Sequence, residues 1–128
     1  MPTSAHFGED ELRCHGDGCC SGGVENIDPR LLELLEQLRY NTGGLPIKLS
    51  CAYRCPVHNA EVGGASASQH MYGTAADVLR PDHLSYGEFQ WYVDQLPFDG
   101  VGIYEDQDFI HVDVRYGGVG GPGDHVYF

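Results

Sequence analysis

The chain has 128 residues and a mass of 14.0 kDa, with 41% apolar residues, which suits one domain around one hydrophobic core. Nineteen acidic side chains against seven Lys and Arg give a formal charge of −12, which repels phosphate backbones and anionic lipid surfaces and argues against a nucleic-acid partner. No apolar run approaches the ~20 residues of a membrane span, and the first residues lack the basic stretch and apolar core of a signal peptide, so the expectation is a soluble chain without an export address.

The first 26 residues form a Cys- and Gly-rich segment holding Cys14, Cys19 and Cys20, while Cys51 and Cys55 follow later. An odd count cannot pair completely within one chain, and C-x4-C-C with C-x3-C is not the C-x2-C pattern of a zinc ribbon. Disulfides, reduced buried thiols and a structural metal all stay open. The first clear element starts at Asp28, an N-cap with Pro29 at the first helical position. Leu31, Leu32, Leu35 and Leu38 then recur at helical spacing until NTGG stops them at Gly43. LPIKLSCAY reads as a strand with Leu45, Ile47, Leu49 and Cys51 on one face.

The stretch SQHMYGTAAD sets His70 and Asp77 seven positions apart around Gly73, where the chain can bend before AADV runs on as a strand. A second helix follows Ser85, whose hydroxyl and Glu88 make a capping box, and ends near Pro97. DGVGIY and FIHVDVR then read as an antiparallel hairpin joined through Glu105–Asp108. Because strand side chains alternate, Ile110, Val112 and Val114 share one face, and His111, Asp113 and Arg115 the other. The last segment, 116–128, is a Gly-rich tail, so the whole is expected to be a single domain over 1–128.

Catalytic zinc takes three protein ligands and keeps a fourth position for water. His70 and Asp77 supply two, and His111 is the best third. His58 is better read as structural, and His6, His15, His83 and His125 have no spacing partner.

The segments SCAYRCPVHN, VGGASASQHMYGTAAD and FIHVDVR, in this order and spacing, resemble the zinc D-Ala-D-Ala carboxypeptidase family of metallopeptidases, and within it subfamily A. The likeness spans roughly Ile27 to Arg115. It implies an α+β, hedgehog-like fold in which an antiparallel sheet carries the zinc site and helices pack on it. It also implies hydrolysis of peptide bonds in peptidoglycan stem peptides, by a D,D-carboxypeptidase or an endolysin-type endopeptidase.

Residue by residue, the resemblance makes His70, Asp77 and His111 the zinc ligands. Asp108 takes the place of the catalytic carboxylate, where relatives often have Glu, with Glu105 and Asp106 as fallbacks. Arg54 matches the arginine that binds a substrate carboxylate or a developing oxyanion, and Ser68 a serine that contacts substrate. Asp113 is expected behind a ligand, orienting it or Arg115. Cell-wall access without a signal peptide would suit a phage or prophage protein released by other means. The alternatives are a binding module that keeps the metal without catalysis, favoured by Asp at position 108, and a metal-free domain held by its cysteines.

Overall fold

The structure, a computed structural model, describes residues 4–16, 18–20, 22–64, 68–116 and 126–127. Ala65, Ser66 and Ala67 of the quoted motif, His125 and the glycines of the tail from Gly117 lie outside the described residues.

The helices form where caps and periodicity place them. After the short α1 (Glu9–Leu12), α2 runs over Pro29–Asn41 with the Asp28 carboxylate accepting from the Arg30 amide at 2.8 Å. It buries Leu31, Leu32, Leu34, Leu35 and Leu38. Helix α3 (Pro56–Glu61) starts at Cys55, and α4 (Tyr86–Asp94) starts from the expected Ser85/Glu88 capping box and buries Phe89 and Val93. No helix among the described residues is long and apolar enough to cross a membrane.

Five strands form one sheet in the order β1-β2-β4-β3-β5, with β1 over Leu49–Cys51, β2 over Ala75–Leu79, β3 over Gly100–Tyr104, β4 over Phe109–Asp113 and β5 over Val126–Tyr127. The first four are antiparallel as expected, whereas β5 joins β3 in parallel, so the sheet is not purely antiparallel and its tail contributes a strand. One sheet face carries Ala76, Val78, Val101, Ile110 and Val112, which are fully buried with the leucines of α2 and with Phe89 and Val93. The opposite face carries Ala75, Asp77, Phe109, His111 and Asp113, because in the register Asp77 lies opposite His111 and Ala75 opposite Asp113. The period-2 alternation thus separates a dry core from a polar face.

The strand expected over LPIKLSCAY shrinks to three residues. Pro46 has no amide to give a ladder, and Leu45 is half exposed. A register shift between Leu49 and Cys51 pairs Leu49 with Val78 but Cys51 with Asp77. That bulge moves Cys51 off the apolar face expected for it and onto the polar one.

Candidate metal centre and cleft

Ser68 opens a short 3-10 turn over Gln69–Tyr72, its hydroxyl accepting from the His70 amide at 3.3 Å. Gly73 closes the turn at φ 73°, and a Cβ there would collide with the Asn26 carbonyl. The turn hands the chain to β2, which places Asp77 opposite His111 of β4. Two short segments and one hairpin thereby bring together side chains from three parts of the chain.

The hydrogen bonds fix the nitrogens. His70 Nδ1 lies 2.7 Å from the Ala52 carbonyl, which only accepts, so in the neutral ring the proton sits on Nδ1 and Nε2 turns a lone pair toward Asp77 Oδ1 at 3.2 Å. His111 Nε2 lies 3.0 Å from the Asp113 carboxylate, so its Nδ1 turns a lone pair toward the same Asp77 oxygen at 3.1 Å. In these tautomers two imidazole lone pairs converge on one carboxylate oxygen, an arrangement that a cation stabilises, whether a proton or a metal. Zinc bonds of about 2.0–2.1 Å in a tetrahedron separate their ligand atoms by about 3.3 Å, so both imidazole–carboxylate separations suit that ion.

The electrostatics agree. Burial alone would lower the His70 imidazole, yet its bonds to Asp77 and Cys51 raise it to about 10. Burial would raise Asp77, but His111 and His70 hold its carboxyl at about 2. His111 is pushed down by burial and raised on balance by Asp113 and Asp77. Asp113, fully buried, is held at about 2 against burial by His111 and by Arg115, whose guanidinium donates at 2.6 and 2.9 Å. The site therefore attracts positive charge, which in the metal-free protein means protons.

The cluster lines a cleft of about 470 Å³ together with Arg54, Ser68, Gln69, Tyr104, Phe109 and Arg115. Arg54 donates from Nη2 to Ser68 at 3.4 Å, while its buried Nε has no partner among the described residues. The structure brings Arg54, Ser68, His70, Asp77 and His111 to one cleft and puts Asp113 directly behind His111.

It does not bring Asp108 there. Asp108 takes the left-handed conformation at φ 60° that ends the hairpin loop, a region short polar side chains tolerate, and its carboxylate is clamped by Arg80 at 2.7 and 3.0 Å. Neither it nor Glu105 and Asp106 lines the cleft. His6, His15 and His83 are exposed but engaged, with Glu36, the Asp10 carbonyl and the Thr42 carbonyl respectively.

Three features escaped sequence reasoning. Cys51 Sγ sits 3.6 Å from His70 Nδ1, on the ring edge turned away from Asp77; only the bulge reveals it. The ligand atoms of Cys51, His70 and Asp77 lie within 4.8 Å of one another, so the thiol is a ligand candidate beside His111; His111 lines the cleft and Cys51 does not. Tyr104 and Phe109, cross-strand partners whose rings stack at 4.8 Å, form one wall. The alternation that puts His111 in the cleft also puts Phe109 there, so that signal was present. Gly100, opposite Asp113, leaves the space the buried carboxylate fills, since a Cβ would strike its oxygens.

Comparison with known proteins matches residues 5–113 to the family described as Peptidase M15. The chain is also similar to the zinc D-Ala-D-Ala carboxypeptidase of Streptomyces albus G, 46% identical over 83 residues that cover 59% of this chain and 32% of that protein. The chain therefore spans about a third of that relative's length. The turn bearing His70, the strand bearing Asp77 and the hairpin bearing His111 all fall within the matched 5–113 span, and the chain belongs to the Peptidase M15 family.

Proposed function

We propose that this chain is a zinc-dependent peptidase acting on peptidoglycan stem peptides, as a D,D-carboxypeptidase or an endolysin-type endopeptidase, on a hedgehog-like fold. One observation carries the reading: His70 Nε2 and His111 Nδ1 both lie within 3.2 Å of Asp77 Oδ1 on the wall of an open cleft. The similarity to a zinc D-Ala-D-Ala carboxypeptidase supports the substrate class.

His70, Asp77 and His111 would hold the zinc, which supplies a Lewis acid for the scissile carbonyl and lowers the pKa of bound water. The remaining steps belong to the protein. The Ala52 carbonyl and the Asp113 carboxylate each hold one imidazole in the tautomer whose unprotonated nitrogen faces the site. Arg54, whose Nε has no partner among the described residues, offers its fork to a substrate carboxylate or to the developing oxyanion, and Ser68 holds that fork in place. The stacked Tyr104–Phe109 pair gives an apolar wall against which a small side chain such as that of alanine can lie.

Mass spectrometry of defined stem peptides incubated with zinc-loaded protein tests the proposal. Release of a terminal alanine or cleavage of a cross-link, abolished in His111→Ala, is the expected result; intact substrates at high enzyme concentration would overturn it. The clamp of Arg80 on Asp108 favours a second reading, a zinc-containing binding module of the same fold without catalysis. Stem-peptide binding and zinc retention without any hydrolysis would select that one.

A further inference from the structure

Away from the cleft residues just described, four of the five cysteines gather into a second cluster. The sulfurs of Cys14, Cys19, Cys20 and Cys55 all lie within 4.8 Å of one another, with Cys14–Cys19 at 3.7 Å and Cys19–Cys55 at 3.2 Å. They come from distant places: three from the N-terminal segment, and Cys55 from the start of α3. Cys14 and Cys55 are buried, Cys19 is half-buried and Cys20 is exposed.

Zinc–sulfur bonds of about 2.3 Å in a tetrahedron separate the sulfurs by about 3.8 Å, close to the spacing seen. The backbone is arranged for sulfur that carries charge. The Cys55 amide points at Cys14 Sγ at 3.5 Å, the His58 amide at Cys55 Sγ at 3.4 Å and the Gly22 amide at Cys20 Sγ at 3.4 Å. A neutral thiol or a disulfide sulfur accepts such bonds weakly, whereas a metal-bound thiolate is stabilised by them. Gly16 completes the fit, because any Cβ there would press on Cys19 Sγ and on the His58 side chain, so the loop closes over the cluster only with glycine.

We infer that Cys14, Cys19, Cys20 and Cys55 form a structural zinc site, separate from the cleft, that fastens the N-terminal segment to the turn carrying Arg54. Binding replaces each S–H bond by a zinc–sulfur bond and sends the proton to solvent, with no change of oxidation state. All four ligand positions are protein sulfurs, which is the closed arrangement of a structural rather than a catalytic site. Arg54 precedes Cys55, and its amide bonds the His70 carbonyl at 3.1 Å, so the fastening also steadies the cleft rim.

Zinc content by plasma mass spectrometry, on protein purified under reducing conditions and desalted, tests this without any assay of activity. The wild type should hold two zinc ions per chain and His70→Ala/His111→Ala one. Titrating that double variant with an organic mercurial should release its remaining zinc in step with thiol modification. Cobalt in its place should give intense near-ultraviolet sulfur-to-cobalt charge-transfer bands. Cys19→Ser/Cys20→Ser should lose those bands and one zinc; should it not fold, the histidine variant alone still decides.

A zinc-free histidine variant that stays folded would overturn the inference. So would a native mass lower by two hydrogens for each pair of these cysteines, which shows disulfides, or iron at the same thiols in place of zinc. Because the readout is the metal left after the cleft ligands are removed, failure of the peptidase proposal leaves this test intact.

Discussion

Replacing Asp113 by Asn removes a charge while keeping an oxygen that can accept from His111. In the native chain the Asp113 carboxylate is fully buried, bonds His111 Nε2 at 3.0 Å and accepts two hydrogen bonds from the Arg115 guanidinium. It thereby fixes which imidazole nitrogen is unprotonated and turned toward the metal position, and its negative charge raises the basicity of that nitrogen. Loss of such a carboxylate costs about 10–100-fold in metal affinity, or ~1.4–2.7 kcal/mol. The fold loses as well. The Asp113 carboxyl falls from 3.8 to about 2, a shift worth roughly 2 kcal/mol of stability in the metal-free protein at neutral pH.

Zinc affinity is measured by competition with a chromophoric chelator, wild type against Asp113→Asn; the cysteine cluster is common to both, so the difference reports the cleft. Chemical denaturation of the metal-free proteins gives the stability. Cleft affinity within twofold of wild type, in a variant that remains folded, refutes the argument that Asp113 tunes the ligand.

The pH dependence of the cleft should have opposite signs with and without metal. Raised from 6.5 to about 10, His70 gives the metal-free protein stability that is full below pH 6.5 and lost as pH climbs through about 10. Zinc must displace that proton, so its affinity for the cleft should rise by up to about tenfold per pH unit over the same window; thermal melts and chelator competition measured together check both slopes. Asp108→Asn should lower kcat less than tenfold, because the carboxylate is engaged by Arg80 outside the cleft; a drop of ~10²–10⁴ would restore it to the proton-transfer role. Arg54→Ala should cost about 1.5–3 kcal/mol in kcat/KM on substrates that end in a free carboxylate, and unchanged steady-state kinetics would exclude its contact with substrate. Gly100→Ala should weaken cleft zinc binding by displacing the Asp113 carboxylate, and wild-type affinity would show that the strand yields without disturbing it.

Much of this architecture is written in local chemistry. The Asp28 and Ser85 caps fixed two helix starts, and the alternation in FIHVDVR separated Ile110 and Val112 from His111 and Asp113 before any partner strand was known. Such features depend on neighbours within a few residues, and so periodicity and hydrogen-bonding chemistry reveal them directly. The spacing around Gly73 likewise pointed to a turn that feeds Asp77 into a strand.

Other features depend on pieces far apart in the chain. The family resemblance gives Asp108 the place of a catalytic acid, yet Arg80, on a different loop, decides where its carboxylate points. Cys51 changes face because one residue bulges from the ladder, and a single register shift reverses every later side chain. The cysteine spacings alone left disulfide, thiol and metal all open. Only folding sets Cys55 against Cys14 and Cys19, because convergence of side chains 36 and 41 positions apart is a property of packing and not of sequence distance.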